Sequence, residues 1–346
     1  MARRGSTHRL MRWLWTSRRL DARLARLALL PAAGLWRGTT LLRDSALRRT
    51  PPSSRSFDIP VIALGNLTVG GSGKAPVLAW LARHLGANHC RPGIALLNAP
   101  AARAAALGHA APEAMVRSGG TPMSAVDAVR LAGADVALLD TSLPWRGPRA
   151  DFGIAVIGAE TGRAVRWPLP AGPWRESWRV LGQADAVIVT RRRATAEAAS
   201  DLAARLASHT RGPIAIAHLG VRHLEGLVSR TEHPASALAG RRVVAASGSA
   251  DPGAFVAQVK AAGAAVQVAQ WEAADDLRDE DVAWLAHAAR RADFVVISEQ
   301  DAVRLRDRWP ARVAEPLVAV LDLTWEQNGE PLLAALDAAV ASAVDR

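Results

Sequence analysis

The stretch Leu64-Gly65-Asn66-Leu67-Thr68-Val69-Gly70-Gly71-Ser72-Gly73-Lys74-Ala75-Pro76 decides the fold of this chain. An apolar run at 59–64 leads into it, and a helical pattern at 77–85 follows it. This order of strand, glycine-rich loop and helix is typical of a P-loop. The backbone N–H groups of such a loop, together with the helix N-terminus, form a concave site for phosphate. The alternative is a glycine-rich turn that precedes a helix by chance.

Lysine usage favours the P-loop. The chain has 43 lysines and arginines, and only Lys74 and Lys260 are lysines. The planar guanidinium of arginine does not replace the compact ammonium that reaches the outer phosphates inside such a loop. We therefore predict that the loop residues bind phosphate: Thr68, Val69, Gly70, Gly71, Ser72, Gly73, Lys74 and Ala75.

The first fifty residues carry much of the positive charge. The net charge is +11, and residues 1–27 hold eight arginines against the single acid Asp21. The apolar run at 27–36 is too short to span a bilayer, and no signal-peptide cleavage site is clear. We predict that residues 1–50 form a basic amphipathic arm, with Trp13 and Trp15, that lies on an anionic membrane surface. The alternative is a solvated basic helix followed by a core helix. Nucleic-acid binding is not expected, because no recognition motif is present.

The rest of the chain has the pattern of an α/β protein. Half of its residues are hydrophobic, and its single cysteine, Cys90, excludes an internal disulfide and fits a reducing compartment. In the segment 51–225, strands alternate with helices, which predicts a parallel sheet with helices on both faces. The predicted strands are 59–64, 93–97, 136–140, 153–157, 186–190 and 214–218, and the predicted helices are 77–85, 124–132 and 194–207.

A second, smaller α/β domain is predicted at 238–325, after a connection at 220–237. Its strands are expected at 242–246, 264–268 and 294–298, and its helices at 252–262 and 279–289. The segment 331–346 is predicted as a C-terminal closing helix.

Four sequence blocks resemble the tetraacyldisaccharide 4′-kinases, also called lipid A 4′-kinases. Residues 64–76 are similar to the pattern V-G-N-[LI]-T-x-G-G-x-G-K-T-P of that family. The block Leu169-Pro170-Ala171-Gly172-Pro173-Trp174-Arg175-Glu176 resembles L-P-A-G-P-L-R-E. Residues 184–190 fit the strand that follows it, and Ser298-Glu299-Gln300-Asp301-Ala302-Val303-Arg304-Leu305 resembles T-E-K-D-A-V-K-L.

The resemblance implies a P-loop NTPase-like fold and a lipid kinase that uses ATP and Mg²⁺. Enzymes of this family transfer the γ-phosphate of ATP to the 4′-position of a tetraacyldisaccharide 1-phosphate and give lipid IVA. The expected partners are therefore ATP, this lipid A precursor disaccharide and an anionic membrane surface. The expected location is peripheral, on the cytoplasmic face of the inner membrane.

The resemblance also implies roles for three side chains. Lys74 binds the phosphates, and Asp140, at the end of the strand 136–140, assists the metal. The alternative for Asp140 is that it caps the next turn. Arg175 is expected to contact the transferred phosphate or a lipid phosphate. Its alternative role is a structural salt bridge.

Several reactive positions of the family are changed in this chain. Ala75 stands where the family has the threonine that ligates Mg²⁺, and Ala110 stands where it has the aspartate that acts as base. The family's D-D-G-[LF]-Q-H continues here as Asp140-Thr141-Ser142-Leu143-Pro144-Trp145, and residues 271–277 contain no histidine. The side chains that could substitute are Thr68 or Ser72 at the metal, His109 or Glu113 as base, and an acidic cluster of Glu272, Asp275 and Asp276. Two alternatives to the lipid kinase follow: a pseudokinase that binds nucleotide or lipid without turnover, and a P-loop nucleotidase or small-metabolite kinase.

Overall fold

The computed structural model describes residues 10–11, 13–15, 17, 19–49, 57–69, 71–143, 150–163, 166–248, 252–269 and 277–345. The first half of the sheet contains the strands β1 (Val61–Gly65), β2 (Pro92–Leu97), β3 (Met115–Gly119), β4 (Val136–Asp140), β5 (Phe152–Gly158) and β6 (Ala186–Arg191). They lie in the order β6-β5-β1-β4-β2-β3, and every pair is parallel. The strand before the P-loop therefore lies in the interior of the sheet, with β4 and β5 as its neighbours.

Helices cover both faces of this half of the sheet. Successive side chains of a strand point to opposite faces, so Ile62 of β1 packs in one core cluster and Val61 in another. The helices of this half are α3 (Lys74–Ala87), α4 (Ala101–Ala110), α5 (Pro122–Leu131) and α6 (Ala196–Leu206). Helix α3 packs on the face of Ile62, and α5 packs on the face of Val61. The predicted α/β fold, a mostly parallel sheet with helices on both faces, is confirmed.

The second half continues the same sheet. Its strands are β7 (Ile214–Gly226), β8 (Glu232–Pro234), β9 (Arg242–Ala246), β10 (Ala265–Ala269), β11 (Phe294–Ser298) and β12 (Leu317–Gln327). Its helices are α7 (Pro252–Ala261), α8 (Asp279–Ala289), α9 (Glu299–Leu305) and α10 (Gly329–Val344). The strand order is β10-β9-β11-β12-β7, and β7 then pairs with β6. The division into domains at 51–225 and 238–325 remains a prediction.

The two halves meet at an antiparallel pair of long strands, β7 and β12. Their pairing runs from Leu317 opposite Gly226 to Gln327 opposite Ile216. The prediction of a connection at 220–237 is wrong there, because β7 extends to Gly226 and β8 adds a second antiparallel partner. The sheet is thus parallel throughout except at β7, where β12 and β8 both run antiparallel to it.

Two helices from the predicted basic arm precede the sheet: α1 (Leu20–Ala28) and α2 (Leu30–Arg49). The Nη1 of Arg26 is buried and donates hydrogen bonds to the carbonyl oxygens of Leu14 (2.8 Å) and Ser17 (3.0 Å). The arginines at 3, 4, 9, 12 and 18 lie outside the described residues. In the part of the chain described above, no helix has the length and apolar character needed to cross a membrane.

Candidate phosphate-binding site

The P-loop follows β1 and ends where α3 begins. Gly73 has a φ of +76°, and a Cβ at this position would overlap with Leu219 Cδ1. The loop therefore needs glycine at this residue both for its backbone conformation and for space. Lys74 is the first residue of α3, and the first N–H groups of a helix have no partner within it. Gly70, which was predicted to bind phosphate, lies outside the described residues.

Neighbouring segments hold the carbonyl oxygens of the loop. Thr190 Oγ1 donates to the carbonyl of Ser72 (2.7 Å), and Arg192 Nη2 donates to the carbonyl of Gly71. The N–H of Val69 donates to the carbonyl of Pro173 (2.9 Å) in the block 169–176. These bonds fix the loop from two sides, which orients its backbone for binding.

Lys74, Asp140 and Arg103 form a partly buried ion triad at the carboxyl edge of the sheet. Lys74 Nζ lies 2.5 Å from Asp140 Oδ1, and Arg103 Nη2 pairs with Asp140 Oδ2. Lys74 Nζ also donates to the carbonyl of Thr141. Burial lowers the pKa of Lys74, and the charge of Asp140 opposes this effect. The two cations and one carboxylate leave one net positive charge beside the loop.

A cavity of about 480 Å³ opens in front of the triad. Four cationic side chains line it, and its far wall comes from the second half of the chain. The cations are Lys74, Arg103, Arg175 and Arg192, and the far wall includes Phe255, Gln258, Ser298, Glu299 and Gln300. This excess of positive charge at a helix N-terminus suits a ligand with several negative charges.

Arg175 comes from the block that pairs with the P-loop. Its N–H donates to the carbonyl of Leu67 (2.8 Å), and its neighbour Trp174 forms an isolated antiparallel bridge with Thr68. Within the described residues, no ion pair joins the Arg175 guanidinium to an acid. The exposed Arg175 lines the main cavity and also a second cavity beside the block.

The second cavity has a volume of about 300 Å³ and lies between α2 and the block 169–176. Three arginines, two tryptophans and one buried acid are among its lining residues: Arg37, Arg166, Arg175, Trp174, Trp178 and Glu176. The Cζ of Arg166 stacks 4.2 Å from the ring centre of Trp178. The N-terminal segment reaches this block, because Trp15 Nε1 donates to the carbonyl of Pro170 (3.0 Å) and Trp36 Nε1 of α2 donates to that of Arg175 (3.4 Å).

Ala110 is the residue that the resemblance places at the position of the family's base. Ala110 lines the main cavity, and its carbonyl accepts a hydrogen bond from Arg83 Nη1 (2.7 Å). His109 turns to β7 instead, where its Nε2 lies 2.5 Å from Glu225 Oε2. Neither His109 nor Glu113 is among the lining residues of the cavity. The acidic cluster of Glu272, Asp275 and Asp276 lies outside the described residues.

The lining residues that sequence reasoning missed include Arg103, Arg192 and Glu299. Arg103 lies in the alanine-rich segment 101–110, which carries no motif. Glu299 is the first residue of α9, and burial raises its pKa to about 8. Its Oε1 is buried and has no hydrogen-bond partner within the described residues. Glu299 lies in one of the blocks that carry the resemblance, which was the available signal.

Comparison with known proteins agrees with this geometry. The chain matches the tetraacyldisaccharide-1-P 4′-kinase family over residues 25–95 and 107–341. The tetraacyldisaccharide 4′-kinase of Anaeromyxobacter sp. (strain K) is 31% identical over 356 residues, which cover 92% of each chain. That of Thiobacillus denitrificans (strain ATCC 25259 / T1) is 31% identical over 308 residues, with 81% of this chain and 87% of the relative covered.

A solved structure shows the same fold. The crystal structure of LpxK from Aquifex aeolicus in complex with ATP has a TM-score of 0.68 and 18% identity, covering 91% of this chain and 99% of that one. The P-loop, the block 169–176 and the block 298–305 thus lie together in one cavity, within a chain that matches its relatives over almost its whole length. This protein belongs to the tetraacyldisaccharide-1-P 4′-kinase family.

Proposed function

We propose that this chain binds ATP in the main cavity and transfers its γ-phosphate to the 4′-position of a tetraacyldisaccharide 1-phosphate, which gives lipid IVA. The observation that supports this most is the arrangement of Lys74, Arg103, Arg175 and Arg192 around a cavity at the P-loop. Phosphoryl transfer depends mainly on positioning and on neutralising the charge of the phosphate oxygens. The ATP complex of the relative from Aquifex aeolicus supports ATP as the nucleotide.

The lipid acceptor fits the side of the molecule that carries the N-terminal helices. In α1, Leu20, Leu24 and Leu27 are exposed and lie on one helix face. The second cavity, lined by three arginines, adjoins α2 on the same side. An apolar face beside a basic pocket suits a lipid with a phosphorylated headgroup. We propose that residues 1–50 hold the protein on the cytoplasmic face of the inner membrane.

The rate of phosphoryl transfer that we expect is low, because residue 110 is not an acid. At Ala110 no side chain can take the proton of the attacking hydroxyl. The loss of a general base costs about 10²- to 10⁴-fold in rate. We therefore expect transfer that is slow compared with the rate of a relative that keeps the aspartate.

The test is transfer of γ-labelled phosphate from ATP to tetraacyldisaccharide 1-phosphate in detergent micelles, with the full chain. We expect a slowly formed labelled lipid that is lost in Lys74→Ala and retained in Lys260→Ala. Lys260 is the matched control because it is exposed in the last turn of α7 and does not line the cavity. Ala110→Asp should raise the rate by about 10²-fold or more if the rest of the site is competent.

A second candidate function is a pseudokinase, and the alanine at the base position favours it. In that case the protein binds ATP, but neither the unmodified chain nor Ala110→Asp labels the lipid. ATP hydrolysis that is indifferent to lipid would point instead to a nucleotidase or small-metabolite kinase.

A further inference from the structure

The donor set beside the P-loop does not fit Mg²⁺. In a P-loop the hydroxyl that follows the lysine and a strand-end aspartate hold the metal. Ala75 offers no oxygen at the first position, and both oxygens of Asp140 are paired with cations. The next residue, Thr141, gives its carbonyl to Lys74. Across the described ranges, no group of three His, Cys, Asp or Glu residues gathers where a metal could bind.

The two remaining hydroxyls in the loop do not supply a replacement. Thr68 is 1% exposed and is not among the residues that line the cavity. Ser72 does line it, but it is itself buried, and its carbonyl is held by Thr190. One hydroxyl beside a carboxylate already paired twice is a poor site for an ion that needs octahedral oxygen ligands.

The charges around Asp140 also disfavour the binding of a divalent cation. Asp140 is 7% exposed, so its single negative charge lies in a poorly solvated place between Lys74 and Arg103. Lys74 and Arg103 both lie against Asp140, and Arg175 lines the same cavity, so three positive charges are already close together. A divalent cation added here would face several positive charges and one shared carboxylate.

Arg103 is placed to act on phosphate. It is the third residue of α4, which follows β2, and Leu96 of β2 pairs with Asp140 of β4. One nitrogen, Nη2, is used on Asp140, while Nε is buried in the part of the chain described and has no hydrogen-bond partner there. A guanidinium has five N–H donors in a fixed plane and stays charged. Arg103 therefore lines the cavity with a guanidinium that has donors beyond the one it uses on Asp140.

We propose that the guanidinium of Arg103 stands in for the divalent cation at this site, so that the phosphate tail of the nucleotide binds without magnesium. The proposal rests on the proposed function, because it assumes that ATP binds at the P-loop. It depends on two features of this chain, Ala75 in the loop and the arginine paired with Asp140.

The test is the affinity of the full chain for ATP, measured by isothermal titration calorimetry in magnesium and in EDTA. We expect the two dissociation constants to agree within about twofold. Arg103→Ala should weaken binding in EDTA by about tenfold or more, the usual effect of losing a charged hydrogen bond. Arg290→Ala is the matched control, because Arg290 is exposed at the end of α8 and does not line the cavity.

Two further variants keep the test decisive. Arg103→Lys retains the charge without the planar fork and should bind ATP with an affinity between those of the unmodified chain and Arg103→Ala, provided that its thermal unfolding is unchanged. The double change Ala75→Thr with Arg103→Ser restores a hydroxyl and releases Asp140, so binding should become magnesium-dependent.

The outcomes separate the two proposals. Binding by the unmodified chain that weakens about tenfold or more in EDTA would overturn the inference alone, because ATP would still bind. An Arg103→Ala variant that binds as tightly as the unmodified chain would also overturn it. No ATP binding in either buffer would overturn the proposed function, and the inference with it.

Discussion

Glu299 is a half-buried residue of the cavity wall whose carboxyl oxygen Oε1 is shielded from water. Burial raises its pKa to about 8, although the charge of Arg83 opposes this shift. Between its ordinary pKa of 4.5 and about 8, the folded chain holds a proton that the unfolded chain has released. The free energy of unfolding therefore falls as the pH rises through this window, and it levels off above it.

We predict that Glu299→Gln removes this pH dependence. Relative to the unmodified chain, the variant should gain on the order of 1 kcal/mol or more in unfolding free energy between about pH 6 and about pH 9. Urea denaturation at the two pH values measures the difference. The control is Glu330→Gln, at an exposed acid in the first turn of α10. Equal pH slopes for Glu299→Gln and the unmodified chain would contradict the prediction.

At the scale of single residues, the sequence predicts the site where a motif or a strand end fixes the side chain. The lysine of the loop and an acid at the end of a neighbouring buried strand must meet at one sheet edge, and Lys74 and Asp140 do so. Arg103 could not be predicted. The segment 101–110 is rich in alanine and has no apolar periodicity, so nothing in it indicates which face points to the cavity.

At the scale of elements, we expect ATP binding to depend on the turn between the P-loop and α3. Gly73 and Gly240 have nearly equal positive φ angles, +76° and +70°, but only Gly73 has a neighbour where a Cβ would lie. The pair therefore separates backbone strain from steric overlap. Strain for an L-residue in the left-handed region costs about 1–2 kcal/mol.

We predict that Gly240→Ala lowers the unfolding free energy by about 1 kcal/mol and leaves ATP binding unchanged. Gly73→Ala should cost at least about 2 kcal/mol, because Leu219 must also move. It should also abolish ATP binding, since the loop backbone shifts. Urea denaturation and calorimetry measure the two effects. Equal losses in the two variants would show that the overlap with Leu219 is relieved without cost.

At the scale of elements, apolar runs between turn residues predict the strands and helices well. The strand at 136–140 and the helix at 279–289 lie where they were predicted, because each has clear signals at both ends. Helix α4 was missed because alanine carries no pattern of burial. Strand β12 was missed along its whole length, and its outer end is half-exposed or exposed.

At the scale of the whole molecule, the exposed leucines of α1 form an apolar helix face that is suited to contact with a membrane surface. Leu20 is 73% exposed, and Leu24 and Leu27 are more than half exposed on the same helix. The exposed arginines Arg19 and Arg23 lie close to them in the sequence. Such a helix binds a membrane interface through apolar area and through attraction to anionic lipid.

We predict that the double change Leu20→Glu with Leu24→Glu reduces co-sedimentation with anionic phospholipid vesicles by about tenfold or more, since two apolar contacts are lost and two negative charges are added. The fold should be unaffected, because both side chains are exposed. Leu131→Glu is the control, since Leu131 is 78% exposed at the end of α5, away from the basic arm. A variant that sediments like the unmodified chain would refute the membrane role of α1.

The antiparallel pairing of β7 with β12 could not be predicted from the sequence. The segment 220–237 contains glycine, histidine, serine and proline, which favour a loop. Its strand forms because β12, about one hundred residues later in the chain, supplies the hydrogen bonds. Pairing over such a separation leaves no local signal in the sequence.

This pair of strands also forms the floor of the main cavity, where Leu219, Ala319 and Leu321 lie beneath the P-loop. Whatever occupies the cavity is in contact with both halves of the protein at once. Its binding free energy is then added to the cost of separating them, because a ligand that binds only the assembled form stabilises that form. When the cavity is filled, the chain should thus unfold in one cooperative transition, because the bound nucleotide contacts both halves.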